Sequence, residues 1–299
     1  MCAVPRRCVR AGRVRVIVAA CQIPARSPGA LERAVRSAAA RGARLVVLPE
    51  LAECGYVFRD AAEARAAAQR LDGPTATLLR SLSAELGCVI VGGFAELGDD
   101  GCVYNSAVLV EAGAVVACYR KVHLWGSEPE LFSPGTEPPA AVATAAGRIA
   151  VLICYDLEFP EWVRLAAQAG AEIVAAPVNW PREPRPDGER ALEVIKAQAG
   201  AGTYRVHVVV ADRCGRERGV DWVGGSLVCG SDGYLRAGPA TATGEQPREV
   251  VVVADLDVAA ARDKALGPHN HAFADRRPHL YGDTSATSQA ADAVPRAGR

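Results

Sequence analysis

Apolar residues in this chain fall into short runs. They lie at 14–21, 43–49, 88–95, 104–110, 115–119, 149–154, 172–177, 206–212, 226–230 and 250–256. Most are continuously apolar and rich in Val, Ile, Leu and Ala, the pattern of strands covered on both faces. The stretches 29–41, 59–71, 74–87, 159–169 and 188–203 are rich in Ala, Arg, Leu and Glu at helical spacing, and predict helices. Strands and helices alternate early, strands follow one another from 88 to 119, and alternation then resumes. That order predicts an α/β fold with mixed sheets. The segment PREPRPDG (181–188) carries three prolines and reads as a loop. It follows a strand end directly, where binding loops of α/β folds sit.

No linker or change of composition interrupts 14–282, which predicts one domain over that span. The expectation is a loose basic leader over 1–13 and a disordered tail over 283–299. Arg6, Arg7, Arg10 and Arg13 precede an apolar run that imitates a secretion signal. The run is only about six residues, below the roughly 7–15 of a signal core. No stretch approaches the roughly 18 apolar residues of a membrane span.

Charge narrows the partners. The 34 Lys+Arg balance the 34 Asp+Glu, so no field is built up toward nucleic acid or a membrane surface. Ten cysteines are scattered, at 2, 8, 21, 54, 88, 102, 118, 154, 214 and 229. None forms a CxxC pair, which argues against a zinc site. Several lie in apolar runs, where Cys acts as a small buried hydrophobe. Their usage suits a reducing, cytoplasmic setting.

Three polar residues end or follow apolar runs abruptly. Cys154 closes the run 149–154 and precedes a helix beginning near Pro160, so nearby N–H groups can activate the thiol and hold an oxyanion. Glu50 follows Leu45-Val46-Val47-Leu48 and Pro49. A carboxylate at a buried strand end has its pKa raised, as a general base requires. Lys121 follows the run 115–119, within alternating charged and apolar residues, and can neutralise an oxyanion. Glu128 precedes Phe132, Pro134 and Gly135 in a turn-rich stretch. Taken singly, each has a plainer reading: a structural thiol, a solvated strand-end carboxylate, an edge lysine, a loop charge.

Together they form a pattern. LPELAECGY, YRKVHLWGSEPELFSPG and ICYDLEFPEWVRLAAQAGAEIV resemble, in order, the three signature blocks of the nitrilase superfamily of carbon–nitrogen hydrolases. The resemblance extends over roughly 14–282 and implies a four-layer α-β-β-α sandwich that pairs into a homodimer or higher homo-oligomer. It implies Glu50, Lys121 and Cys154 as the Glu–Lys–Cys triad, with Glu128 as the second glutamate. It implies hydrolysis of a small amide to a carboxylate and ammonia through a thioester, with no cofactor or metal and a small molecule as partner. Glu50 would shuttle the proton, and Lys121 and the Tyr155 N–H would hold the oxyanion. The sequence CYDLEFPE looks most like amidases of short aliphatic or amino-acid-derived amides. It lacks the Trp-Glu pair that usually follows the cysteine of true nitrilases. N-carbamoyl amide hydrolysis, nitrile hydrolysis and a silent scaffold are the alternatives. Tyr56, Trp125, Tyr155, Asn179 and Trp180 are expected to line the substrate pocket, with Glu158 or Asp187 attracting a cationic end.

Overall fold

The computed structural model describes residues 14–241, 246 and 248–281; the leader expected over 1–13 and the tail over 283–299 lie outside the described residues. Contacts divide the chain into a unit ending at Asp263 and a short one beginning at Lys264. The first carries both large sheets. The second, over 264–281, is loop-rich, with an antiparallel bridge between Ala265 and His271 and a 3-10 turn at Pro278–Leu280.

The first sheet holds β1 (Arg15–Pro24), β2 (Leu45–Val47), β3 (Val89–Leu97), β4 (Val103–Glu111) and β5 (Ala114–Arg120). β1, β2 and β3 are parallel; β4 and β5 continue as an antiparallel meander. The second sheet holds β6 (Val142–Thr144), β7 (Gly147–Val151), β8 (Ile173–Pro177) and β9 (His207–Ala211), with β7, β8 and β9 parallel. Shorter strands follow: β10 (Arg213–Cys214), a hairpin of β11 (Arg216–Glu217) and β12 (Val220–Asp221), β13 (Leu227–Cys229) and β14 (Leu235–Ala237). β10 joins the end of β1, so the chain passes from the second sheet to the first there. β13 and β14 extend the second sheet, and β15 (Val250–Asp257) runs antiparallel along β1.

The two sheets pack face to face, β1 against β9 and β2 against β8. Helices α1 (Ala30–Ala40) and α3 (Pro74–Leu86) cover the first; α4 (Pro160–Gln168) and α5 (Leu192–Tyr204) cover the second, with the short α2 (Ala61–Ala67) beside β3. This is the four-layer α-β-β-α arrangement. It also explains the unbroken apolar runs. On β1, Ala19, Cys21 and Ile23 meet Leu31, Ala34 and Val35 of α1, while Val18 and Ala20, on the opposite face, are equally buried.

The ten expected strands all appear, with ends shifted by a few residues. β6, β10, β11, β12 and β14 are only two or three residues long, too short to show a period. The helix expected over 188–203 starts at Leu192, because Ala191 is still extended. α2 stops at Ala67 because Gln69 pairs with Glu96 on β3. Among the described residues, no helix is long and apolar enough to cross a membrane.

Candidate active site

β2, β7, β8 and β9 are parallel within their sheets, and β5 runs in the direction of β3 because two antiparallel turns restore it. Residues that follow these strands therefore gather at one end. They are Glu50 after β2, Lys121 after β5, Cys154 after β7, Asn179 after β8 and Arg213 after β9. Glu50 reaches its place through a tight turn over β3, where Leu51 has φ 47°. Gly93 makes that crossing possible: a Cβ there would lie 2.7 Å from the Glu50 Cα and from the Pro49 oxygen.

Glu50 and Lys121 are fully buried, Glu128 almost so. Lys121 Nζ donates to Glu50 Oε1 and to Glu128 Oε1, both at 2.8 Å. Asn105 Nδ2 donates to the same two oxygens, at 2.7 and 3.1 Å. Glu128 Oε2 accepts from the Trp125 main-chain N–H at 2.7 Å. Every carboxylate oxygen of the pair is thus engaged except Glu50 Oε2, which is buried and has no partner. Burial pushes the Glu50 carboxyl up to about 7; Lys121 opposes this and Glu128 adds to it. Burial works against the Lys121 ammonium, but Glu50 and Glu128 outweigh it and hold the group above its ordinary range. Among the described residues, no group of three His, Cys, Asp or Glu side chains is arranged to hold a metal ion.

Cys154 opens a 3-10 turn, Cys154–Glu158, between β7 and α4. Its φ of 49° is left-handed, a strained elbow for a side chain with a Cβ. Sγ lies 3.8 Å from the Asn179 carbonyl oxygen, and 7% of the residue remains exposed. Burial raises the thiol well above its ordinary pKa; the Glu50 charge raises it further and Lys121 opposes. The resting group is a thiol, and it feels both Glu50 and Lys121. Asp156 anchors the elbow. Its Oδ2 accepts from Ile153 N at 3.0 Å and Tyr119 Oη at 2.8 Å; its Oδ1 accepts from His123 N at 3.0 Å and lies 2.7 Å from His123 Nδ1. Tyr119 and His123 flank Lys121 by two residues on either side, so Asp156 ties the thiol's turn to the lysine's strand end.

Sequence reasoning missed Asn105, Asp156, Asp212 and Arg213. Arg213 is buried and holds the base of the site. Its Nη2 donates to the main-chain oxygens of Glu50 and Leu51, both at 2.8 Å, and its Nε to Asn179 Oδ1 at 2.8 Å. Asn179 Nδ2 in turn donates to the Glu50 oxygen at 3.0 Å. Asp212 accepts from the N–H groups of Trp180, Arg213 and Gly225, and burial pushes it up to about 7. The signal for Asn105, Asp212 and Arg213 was a polar residue inside or directly after an apolar run; Asp156 lies two residues past the run that ends at Cys154.

A cavity of about 290 Å³ adjoins the cluster, lined among others by Tyr56, Phe58, Trp125, Glu128, Glu183 and Trp222. Tyr56 and Trp125, two of the expected pocket residues, line this cavity. Tyr155 packs edge-on against Trp125 and Phe159 without lining this cavity. Asn179 is turned into the cluster. Trp180 does not line this cavity: its indole is buried against Gly225, and its main-chain N–H donates to Asp212 Oδ1 at 3.0 Å. Trp222, edge-on to Tyr56 at 5.7 Å, lines the wall instead. Glu158 is paired with Lys196 and lines a separate cavity against α4 and α5, and Asp187 is exposed in the proline-rich loop; neither lines the 290 Å³ cavity.

The family model described as Carbon-nitrogen hydrolase matches residues 17–265. A nitrilase of Pyrococcus abyssi is 35% identical over 253 residues, covering 84% of this chain and 90% of that protein. An N-carbamoylputrescine amidase of Solanum tuberosum is 33% identical, covering 84% and 86%. A mutant of the amidase from Nesterenkonia sp. AN1, with acrylamide added at its active-site cysteine, superimposes with a TM-score of 0.70 at 27% identity, covering 89% of this chain and 98% of that one.

Proposed function

The chain belongs to the carbon–nitrogen hydrolase family, and from the geometry of its site we propose that it hydrolyses a small linear amide to a carboxylate and ammonia, with Cys154 as the nucleophile. The observation that carries this is the unpartnered Glu50 Oε2: a buried acceptor of raised basicity in a cluster that also acts on the thiol. Glu50 takes the Sγ proton as sulfur bonds to the amide carbon. Lys121 and the N–H of Tyr155 meet the charge that develops on the amide oxygen. Glu50 hands its proton to the leaving nitrogen, the C–N bond breaks and ammonia departs. Water then loses a proton to Glu50 and attacks the thioester. The C–S bond breaks, sulfur recovers the proton, and the acid product leaves. Glu128 holds Lys121 from behind and keeps its ammonium aimed.

Hydrolysis of an N-carbamoyl amine, releasing CO2 as well as ammonia, is the second reading; the likeness to the Solanum tuberosum enzyme favours it. Ammonia and CO2 release are to be measured across amide, carbamoyl and nitrile panels. Ammonia without CO2 from amides, abolished in Cys154→Ala and retained in Cys229→Ala, is the expected outcome. Undiminished turnover by Cys154→Ala would overturn the assignment.

A further inference from the structure

We infer that the mouth of this site selects amides by the charge of their far end, taking a cationic chain and turning away a carboxylate. The inference rests on the proposed amide hydrolysis and concerns which amide. Of the residues that line the 290 Å³ cavity, only Glu128 and Glu183 carry formal charge, and both are acidic. Tyr56, Phe58, Trp125 and Trp222 make up much of the wall. Aromatic faces attract an ammonium or guanidinium and offer nothing to a carboxylate.

The nearby arginines are already occupied. Arg218 is bound to Glu63 and to the Val57 oxygen, and Arg26 pairs with Glu63 and Glu217. Arg213 is buried on the Glu50 and Leu51 carbonyls. Arg182, next to Glu183 in the loop, does not line the cavity and has a partner of its own. Among the described residues Glu183 makes no ion pair, so its carboxylate is free for a ligand. Below it, the two carboxylates Glu50 and Glu128 share one ammonium, Lys121. With Glu50 ionised, the cluster carries a net negative charge in a low-dielectric setting, which repels a second carboxylate entering from the cavity.

The arrangement also corrects the site's acidic partner. Glu158 is close to the nucleophile and Asp187 to the loop in sequence, but of the three only Glu183 lines the cavity that Glu128 joins to the cluster. A chain with its amide at Cys154 and its cation at Glu183 crosses the aromatic wall between them.

Three straight-chain amides of equal length, ending in an ammonium, a methyl or a carboxylate, test the inference. The expected order of kcat/KM is cation, neutral, anion. The extremes should differ by about tenfold or more, from one exposed ion pair, one cation–π contact and the matching repulsion. Glu183→Gln should lower the ratio of the rate on the cationic amide to that on the neutral one by about two- to fivefold. Glu183→Lys should reverse the order. Binding of the same three amides to Cys154→Ala, followed by calorimetry, reads the selection without turnover. Equal binding and equal rates for cation and anion overturn the inference and leave the amidase reading standing. Cation-selective binding without hydrolysis of any of the three sinks the reaction and leaves the inference standing.

Discussion

Replacing Glu50 with Gln should stabilise this protein while disabling it, and the size of the gain should depend on pH. Gln is a neutral isostere that fits the contacts. Its oxygen keeps the bonds from Lys121 and Asn105, and its amide nitrogen takes the place of Oε2, which has no donor to lose. The native carboxyl sits near 7 against an ordinary 4.5. Between those values the folded state holds a proton that the unfolded state has released, so wild-type stability falls as pH rises through the window. At 1.36 kcal/mol per pH unit, the gap amounts to roughly 3 kcal/mol, fully expressed above pH 7 and absent below 4.5. The Glu50→Gln variant has no such loss. For a chain of this length, roughly 3 kcal/mol is a Tm difference of about 5–10 °C. Calorimetry of both proteins from pH 4.5 to 8.5 measures it, with ammonia release as the check that activity has fallen by about a thousandfold or more. A Tm gap that stays flat would refute the reasoning. A gap that moves in favour of wild type as pH rises would show that attraction to Lys121 outweighs burial, the reverse of the balance argued above.

The same titration sets the rate profile: kcat/KM should climb with pH through about 7 as Glu50 ionises, and that limb should be absent from any residual activity of Glu50→Gln. Arg213→Lys keeps the charge but can replace only one of three buried hydrogen bonds, at a cost of about 2–6 kcal/mol. Thermal melts should fall by roughly 5–15 °C, and kcat should drop more than KM rises because Glu50 loses its backbone anchor; an unchanged kcat would make the residue purely structural. Asp156→Asn turns an amide N–H toward donors at Ile153 and Tyr119, or toward those at His123. Alkylation of Cys154 should slow by about tenfold with the fold retained by circular dichroism, and a wild-type alkylation rate would remove Asp156 from the positioning of the elbow.

How much of this was legible in the chain follows from what each residue had to do. Long strands and helices announce themselves, the buried strands as unbroken apolar runs and the helices as an apolar position every third or fourth residue, and β1, β3, β4 and α3 did so to within a few residues. Two-residue strands such as β10 and β11 have no period to show. They form because Arg213 and Glu217 are fixed by contacts with residues about 160 positions earlier. Glu50, Lys121 and Cys154 stood out because each breaks a hydrophobic pattern at a strand end. Arg213 breaks one too, after 206–212, but nothing local says that its guanidinium turns inward to main-chain oxygens. Trp180 and Trp222 were equally ambiguous. Which indole faces the cavity is a tertiary fact: Trp180 packs against Gly225, while Trp222 stands edge-on to Tyr56. Asp212 itself was read as the last residue of a strand.

The pairing of two glutamates with one lysine has a chemical logic that a simple ion pair lacks. Lys121 alone beside Glu50 would hold it ionised, and a carboxylate so stabilised is a poor base. Glu128 shares the lysine through Oε1, adds a second carboxylate beside Glu50, and accepts from the Trp125 N–H at its other oxygen. The result is a Glu50 raised to about 7, which in the proposed mechanism lets it both take the thiol proton and return one to a leaving nitrogen. The ammonium is meanwhile clamped by two carboxylates, free of side-chain wandering, with its charge available when the amide oxygen turns negative. Such a cluster is costly to bury. Three buried groups hold it in place: Asn105 across both carboxylates, the Gly93 crossing beneath Glu50, and the Arg213 guanidinium on the backbone behind it. The base strength of the site is therefore set first by burial and then by the balance of Lys121 and Glu128 around Glu50, and its geometry by Asn105, Gly93 and Arg213.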